Sequence, residues 1–339
     1  MNLKRLDQIL DQASEKRFLV IGDLMLDEFV WGKVGRISPE APVPVVEVTG
    51  ESFYPGGAAN VARNLREFAA NVSVLGMVGK DRSGVMLRDL LADQEIDTSN
   101  CIEDERICTI VKTRIIARNQ QVVRVDRERV INPSLTQIEK IVKTVAERIS
   151  ELDAIIFEDY GKGFLVNELI AQIARVAQSA GKILTADPNP RNLVDWNGMT
   201  AIKPNQAEAF MAAKITAMED DKPPDQDADL TRAGTALLEK WNAKYLLITL
   251  GEKGMMLFQT NDKPHHIPTK ARQVFDVSGA GDTAIALFTL ALVGQATPLE
   301  AAQIANYASA VAVGKLGTAT VGRQELAAYV ERDMQQNNK

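Results

Sequence analysis

Short apolar runs alternate with longer segments of helical periodicity along almost the whole chain. The apolar runs are typical of buried β-strands and lie at residues 18–21, 72–75, 154–157, 183–185 and 245–249. Apolar side chains recur at helical spacing between them, at residues 58–68, 85–91, 137–149 and 166–177. This order predicts an α/β fold in which helices cover a mostly parallel sheet.

Two segments interrupt the alternation. Residues 29–48 contain three prolines, and residues 107–125 contain a stretch in which β-branched side chains occupy every second position. Both features suit antiparallel strands at an exposed sheet edge. We therefore predict a single domain over residues 1–339, in which insertions at about 29–55 and 104–126 form a small β-sheet lid. Ordinary long loops are the alternative for both segments.

Charge and cysteine content narrow the classes of function. The chain has 39 basic and 45 acidic side chains, a net charge of −6, which gives no general attraction for nucleic acid or an anionic membrane. Its two cysteines, Cys101 and Cys108, do not have metal-site spacing. The first residues lack the apolar stretch typical of a secretion signal, and no later run approaches eighteen consecutive apolar residues. A cytoplasmic protein with a small-molecule partner is expected, and P-loop ATP binding is excluded because its motif is absent.

The most informative segment, residues 276–283, reads Asp-Val-Ser-Gly-Ala-Gly-Asp-Thr and precedes an apolar helix at 284–292. Small residues before a helix allow backbone amides to approach an anion, and the helix dipole favours that anion. Phosphates would repel Asp282 in such a turn unless this aspartate accepts a proton from an attacking hydroxyl. A dinucleotide-binding fingerprint over 279–284 and a structural helix cap are the alternatives.

A second glycine cluster and several strand ends carry polar side chains. Gly56 and Gly57 precede a helix that contains Asn60, an arrangement that suits contact with a sugar, although a plain turn has the same pattern. Further polar clusters occupy residues 22–27, 187–189, 203–208 and 249–254. Among them, Asn205 and Glu208 offer oxygen ligands for hydrated Mg²⁺, with helix capping as the alternative.

Cationic side chains lie on the second inserted segment. Strand alternation predicts that Arg118, Gln120 and Arg124 share one face, and Lys162 follows another strand. Such a cluster suits a substrate phosphate. Solvated arginines on an edge strand are the alternative.

Together and in this order, these motifs resemble those of the ribokinase family of carbohydrate kinases, also called the PfkB family. The resemblance spans nearly the whole chain, with one signature at 56–60 and another at 276–282, where Ser278 replaces the threonine of many members. It implies a ribokinase-like three-layer domain with a small β-sheet lid. It also implies ATP and Mg²⁺ as cofactors.

The resemblance further implies roles for individual residues. Asp282 would be the base, and the amides of Gly279, Ala280 and Gly281 would form an anion hole. The sugar would contact Asp27, Gly56, Gly57 and Asn60, with its phosphate held by Arg118, Gln120, Arg124 and Lys162. The nucleotide and its phosphates would contact Asn189, Asn205, Glu208, Thr249, Gly251, Gly254, Asn306 and Ala310. Glu208 would hold Mg²⁺ through water, and K⁺ would bind near Asp276.

Within the family, residues 36–45, 118–121 and 159–163 resemble the heptose-7-phosphate kinases of lipopolysaccharide precursor synthesis. Many of those kinases are fused to a nucleotidyltransferase. Because His265 and His266 are the only histidines and are adjacent, there is no His-x-Gly-His motif, and a stand-alone kinase is expected. A homodimer through the lid edge is also expected. The rival functions are a kinase of another sugar or nucleoside, a nicotinamide-dependent oxidoreductase and a non-catalytic sugar-binding regulator.

Overall fold

The computed structural model of the chain describes residues 1–118, 120–216, 222–271, 274–315 and 317–337. Over these residues, the strands are β1 (Arg17–Gly22), β2 (Leu24–Ile37), β3 (Pro44–Gly57), β4 (Asn71–Leu75), β5 (Met77–Gly79), β6 (Ile102–Asp104), β7 (Ile110–Ala117), β8 (Gln120–Arg127), β9 (Ala154–Glu158), β10 (Ile183–Asp187), β11 (Ala201–Ile202), β12 (Tyr245–Thr249), β13 (Met255–Gln259) and β14 (His265–Ile267). The α-helices are α1 (Leu3–Ser14), α2 (Ala58–Arg66), α3 (Arg82–Ala92), α4 (Leu135–Arg148), α5 (Asn167–Ser179), α6 (Gln206–Ala213), α7 (Ala228–Lys240), α8 (Ala280–Val293), α9 (Pro298–Ala312) and α10 (Arg323–Asn337).

The main sheet confirms the predicted α/β fold. Its strand order is β14-β13-β12-β11-β10-β9-β1-β4, and only the pairs β12–β13 and β13–β14 are antiparallel. One buried cluster includes side chains of α1, α2, α8 and α9, and a second cluster on the other face includes those of α4, α5 and α7. From β1 the chain goes to β4 on one side and later to β9 on the other, so a ligand crevice is expected at the carboxyl ends of these strands.

Helix α8 is buried on almost every side because it lies between the sheet and other helices. It contacts α2, α9 and β10, and eleven of its fourteen residues are buried. A hydrogen bond of 2.7 Å between the hydroxyls of Thr185 and Thr289 joins it to β10. This packing directs the start of α8 to the carboxyl edge of the sheet. No helix within the described ranges is long and apolar enough to cross a membrane.

A separate small sheet has the strand order β3-β2-β7-β8. The pairs β2–β3 and β7–β8 are antiparallel, whereas β2 and β7 pair in parallel. The strands cover residues 24–57 and 110–127, so the first begins five residues before the predicted insertion. The two hairpins meet because the chain returns to β2 after passing through α2, β4 and α3, an arrangement that local alternation does not predict.

The predicted common face of Arg118, Gln120 and Arg124 is wrong. Arg118 lies in the turn after β7 with φ +50° and exposes its side chain. A β-bulge in β8 then inserts one residue, since Ile115 pairs with Val123 but Ile116 pairs with Gln121. The extra residue inverts the alternation, so Gln121 and not Gln120 shares the face of Arg124. Asn119, part of the 118–121 motif, lies outside the described residues.

Candidate active site

The predicted anion-binding turn lies at the start of α8. Gly279 is the N-cap residue, with φ +77°, and a Cβ at this position would lie 2.8 Å from Asn60 Nδ2, so the turn requires glycine. The loop before α8 is held by the Asp276 carboxylate, which accepts backbone hydrogen bonds from Ser278 N at 2.9 Å and Gly317 N at 3.0 Å. Asp282 lies in the first turn of α8 and is only 4% exposed.

Both carboxylate oxygens of Asp282 accept a hydrogen bond. Asn60 Nδ2 donates to Oδ2 at 2.7 Å, and Tyr160 Oη donates to Oδ1 at 2.8 Å. Asn60 is completely buried, so its amide supports Asp282, whereas the sequence pointed to a sugar hydroxyl as its partner. The reason is the packing of α2 against α8, which brings the two side chains together. The contact of Tyr160 was not foreseen, although this residue lies in the 159–163 motif.

Ionisable side chains stand at the carboxyl ends of three adjacent strands below Asp282. Glu158 and Asp187 end β9 and β10, and Lys203 directly follows β11. Lys203 Nζ is 2.7 Å from Asp187 Oδ2, and a Cβ on Gly281 would lie 3.4 Å from the same ammonium. The sequence placed residue 203 near a strand end without giving it a role. The structure places its positive charge directly beside the anion-binding turn.

This environment sets the protonation of Asp282. Burial, together with the negative charge of Asp187, raises the pKa of Asp282 to about 6, while hydrogen bonds from Asn60 and Tyr160 and the charge of Lys203 lower it. Burial and the charges of Asp187 and Asp282 raise the pKa of Glu158 well above its ordinary value. Glu158 Oε2 is buried without a hydrogen-bond partner among the described residues. Asp282 is therefore ionised at neutral pH but basic enough to accept a proton.

A cleft of about 640 Å³ opens above these strand ends. Its lining includes Asn189, Asn205, Glu208, Gly279, Gly281 and Asp282, so the structure brings the predicted phosphate and magnesium residues together. Asn205 and Glu208 also form a capping box on α6: Asn205 Oδ1 accepts from Glu208 N at 2.9 Å, and Glu208 Oε2 accepts from Asn205 N at 2.7 Å. Asn205 and Glu208 therefore cap α6 and also line the cleft.

A second pocket of about 510 Å³ adjoins the cleft and shares Thr249, Gly251, Val277 and Gly281 with it. The predicted nucleotide residues Thr249, Gly251, Gly254, Asn306 and Ala310 all line this pocket, with apolar walls from Met255, Val274, Val277 and Val313. Asn306 Nδ2 donates to Pro268 O at 2.7 Å and so fixes one wall. A flat apolar ring fits such a pocket, and an attached phosphate chain would extend toward the turn.

The predicted sugar residues gather where the small sheet meets α2. Asp27 is buried, and its Oδ1 is 2.5 Å from Arg114 Nη1. A Cβ on Gly56 would lie 2.3 Å from Asp27 Oδ2, and Gly57 has φ +59°, so both positions require glycine. Gly56 therefore lets the Asp27 carboxylate lie against the backbone, while Gly57 allows the close approach of Asp23 O.

The predicted phosphate cations are partly engaged elsewhere. Arg124 Nε is 2.8 Å from Asp126, and Lys162 Nζ is 2.6 Å from Glu128. Both have acidic partners, and Arg118 lies in the exposed turn described above.

Lys112 and Arg114 are the cations that the sequence interpretation missed. Their register with Asp27 and Phe29 puts both on the face of the small sheet that carries Asp27. Lys112 Nζ lies 4.9 Å from the centre of the Tyr160 ring, and no carboxylate of the described residues is within 4.0 Å of it. Burial lowers the pKa of Lys112, Asp27 opposes this shift, and the charges of Lys162, Arg114 and Arg124 add to it. The alternation in the second insertion, which places 112 and 114 on one face, was the available signal.

Sequence comparison gives relatives over nearly the whole chain. The sequence profile of the pfkB family carbohydrate kinases matches residues 15–325. The bifunctional protein HldE of Desulfatibacillum aliphaticivorans is 42% identical over 318 residues, which cover 94% of this chain and 64% of that protein. The bifunctional protein HldE of Helicobacter pylori is 41% identical over 313 residues, which cover 92% of this chain and 66% of that protein. The chain thus spans about two thirds of the length of these relatives.

Solved structures share the fold at low sequence identity. Phosphofructokinase-2 from Escherichia coli in complex with potassium superposes with a TM-score of 0.76 at 19% identity, covering 94% of this chain and 100% of that chain. Arabidopsis thaliana ribokinase complexed with ribose and ATP superposes with a TM-score of 0.71 at 18% identity, covering 94% and 99%. The fold is ribokinase-like, as the sequence resemblance implied. With the profile match, these observations show that the chain belongs to the pfkB family of carbohydrate kinases, phosphotransferases that act on sugar hydroxyls.

Proposed function

We propose that this kinase transfers the γ-phosphoryl group of ATP to the anomeric hydroxyl of D-glycero-β-D-manno-heptose 7-phosphate, giving the 1,7-bisphosphate. The observation that carries the proposal is the position of Asp282. Its anion-binding turn borders the nucleotide pocket, while its partners Asn60 and Tyr160 lie toward the small sheet with Asp27 and Lys112. A proton acceptor between a nucleotide pocket and a cationic sugar site is what phosphoryl transfer to a sugar phosphate requires.

In this proposal, Asp282 accepts the proton of the anomeric hydroxyl as its oxygen forms a bond to the γ-phosphorus. The bond between that phosphorus and the β,γ-bridging oxygen breaks, and ADP leaves with the electron pair. The backbone amides of Gly279, Ala280 and Gly281 and the ammonium of Lys203 stabilise the negative charge of the transferring group. Positioning and charge stabilisation account for most of the catalysis.

The chain offers oxygen donors that fit Mg²⁺. Within the described residues, there is no cluster of three metal-ligating side chains, so the ion would keep water and phosphate oxygens as ligands, as Mg²⁺ commonly does. Glu208 would hold it through water beside Asn205 in the cleft. When bound, Mg²⁺ supplies positive charge against the phosphate oxygens. We also propose K⁺ near Asp276, supported by the potassium complex of the phosphofructokinase-2 neighbour.

Glu208→Gln separates metal binding from helix capping. Glutamine retains the oxygen that accepts from Asn205 N, so the capping box and the melting temperature should be preserved. The loss of negative charge should raise the magnesium concentration needed for half-maximal rate. A magnesium titration of wild type and variant measures this change. An unchanged titration would assign Glu208 to capping alone.

Heptose 7-phosphate as the substrate is supported by the segments that resemble heptose-7-phosphate kinases. The relatives named bifunctional protein HldE match 92% or more of this chain with a part of their own length. Lys112 adds a half-buried cation, without a close carboxylate partner among the described residues, on the proposed sugar side of Asp282. We place the reaction in the cytoplasm, in the synthesis of lipopolysaccharide precursors.

The decisive assay is ADP release across a panel of sugars and sugar phosphates. Heptose 7-phosphate should give the highest kcat/KM, and free heptose should be a poor substrate. A higher kcat/KM with another sugar phosphate would support the assignment as a kinase but would assign it a different substrate. The nicotinamide-dependent alternative has no structural support, because the Gly279 turn leads through α8 into α9 and does not open a βαβ unit.

We also propose a homodimer formed through the small sheet. Strand β8 is an edge strand in which every residue is exposed, and Val123 and Val125 are 45% and 52% exposed. Unpaired edges with apolar side chains favour pairing with a second copy by two-fold symmetry. Val125→Lys should therefore shift the mass measured by light scattering from dimer to monomer. A wild-type monomer at micromolar concentration would contradict the proposal.

A further inference from the structure

Tyr160 is fixed at both ends in the structure. Its hydroxyl donates to Asp282 Oδ1 at 2.8 Å, and its backbone N donates to Asp23 Oδ2 at 2.9 Å. Asp23 is buried and also accepts from the backbone N of Lys162 at 3.0 Å and of Phe164 at 3.3 Å. The loop after β9 is therefore held by one carboxylate. The phenol has a defined position and direction.

The contact with Asp282 limits how its carboxylate can rotate. Asn60, from α2, donates to one oxygen, and Tyr160, from the loop after β9, donates to the other. A carboxylate oxygen has two lone pairs, so each oxygen retains one for an incoming hydroxyl. Two donors from different parts of the chain thus set the plane of the carboxylate, and each oxygen has a second acceptor site to which no other side chain of the described residues donates.

Because charged groups surround Asp282, the hydrogen bond from the Tyr160 phenol affects the ionisation of its carboxyl group. Glu158 and Asp187 lie on the strand ends below it, Lys203 pairs with Asp187, and Lys112 lies over the Tyr160 ring. Burial and the negative charge of Asp187 raise the pKa of Asp282, whereas hydrogen bonds from Asn60 and Tyr160 and the charge of Lys203 lower it. Burial and neighbouring carboxylates raise the pKa of the Tyr160 phenol well above its ordinary value, so this group remains a donor throughout the working pH range.

We propose that Tyr160 is a positioning residue for phosphoryl transfer, whose phenol holds the Asp282 carboxylate ionised and oriented toward the acceptor hydroxyl. The inference rests on the proposed role of Asp282 as the base. It adds a second requirement for phosphoryl transfer, which is an uncharged hydrogen-bond donor beside the base in a pocket that is otherwise rich in carboxylates. Tyr160 also connects the base with the sugar side of the site, because its ring lies beneath Lys112.

The test is the pH dependence of kcat/KM for Tyr160→Phe. Removing the phenol should raise the apparent pKa of Asp282 by about one unit, since a hydrogen bond of this kind contributes on the order of one pKa unit. The variant should therefore lose about tenfold activity on the acid side of the profile and little near pH 9. Comparison with wild type on the same substrate cancels the ionisation of the sugar phosphate. Tyr329→Phe, which loses a phenol bond of 2.6 Å to Lys270 O, is the matched control and should leave the profile unchanged.

The outcomes separate this inference from the proposed function. An equal loss at every pH, or an unshifted acid limb, overturns the positioning role of Tyr160 even when Asp282→Asn is inactive. Normal turnover by Asp282→Asn overturns the base and the Tyr160 role together. A carbon-13 titration of the aspartate carboxyls supplies a second readout that does not depend on turnover. A shift of the Asp282 signal to higher pH in Tyr160→Phe supports the inference, and an unchanged titration overturns it.

Discussion

Asp282→Asn should lower kcat by about a hundredfold to ten-thousandfold, the usual contribution of a positioned general base. Asparagine has almost the same shape as aspartate but cannot accept the proton of the sugar hydroxyl. The substitution also leaves the amides of Gly279, Ala280 and Gly281 in place, so ATP affinity should change little. Steady-state ADP release measures kcat, and calorimetric titration with ATP measures the affinity.

A helix-terminal aspartate elsewhere provides the control for Asp282→Asn. Asp229 lies in the first turn of α7, so Asp229→Asn makes the same change in charge near a helix N-terminus away from the cleft. That variant should retain normal turnover. Near-normal turnover of Asp282→Asn would remove the base from the mechanism. A parallel loss of ATP binding would instead mean that Asp282 mainly supports the turn.

Lys112→Ala should lower kcat/KM for heptose 7-phosphate by roughly tenfold to a hundredfold. A charge-assisted hydrogen bond to a phosphate contributes roughly 1.5 to 3 kcal/mol, and about 1.4 kcal/mol corresponds to a factor of ten. Burial makes the charge of Lys112 costly unless an anion offsets that cost, and within the described ranges no carboxylate is within 4.0 Å. In the proposed function, the phosphate of the sugar substrate supplies this anion.

The comparison with unphosphorylated heptose tests this reason directly. The effect of Lys112→Ala should nearly vanish with the free sugar, which lacks the phosphate. Arg118→Ala is the matched control, because Arg118 is a cation with an exposed side chain in the turn that follows β7. This variant should change kcat/KM for either substrate by no more than about twofold. If Lys112→Ala lowered kcat/KM equally for both substrates, the role of Lys112 would be to pack on the Tyr160 ring. The sugar phosphate would then have to be held elsewhere.

The predicted strands and helices are present because hydrophobic periodicity is a local property of the chain. Five apolar runs became β1, β4, β9, β10 and β12 of the main sheet. The residues predicted to bind the nucleotide and its phosphates line two adjoining cavities, since the carboxyl ends of parallel strands meet at one edge. Thr249 ends β12, and Gly251 and Gly254 lie in the short connection to β13, so the two strands set the place of all three residues.

Contacts between distant segments were not predictable in the same way. The pairing of the two hairpins and the partners of Asp282 depend on how helices and sheets pack. Asn60 meets Asp282 across 222 positions, and Tyr160 meets it across 122. The bulge in β8 depends on cross-strand register, and it changed which polar side chains share a face with Arg124.

The sequence alone determined the α/β fold and the small-residue turn that precedes α8 and contains Asp282, because both follow from local patterns, while the family resemblance supplied the residues expected to bind the nucleotide. The tertiary structure decided that Asn60 supports Asp282, that Tyr160 donates to it, that Lys203 lies beside the turn and that Lys112 lies over the Tyr160 ring. A side chain with several possible partners takes the one that packing brings within hydrogen-bond distance. That choice is made between segments far apart in the chain, where local patterns carry no information.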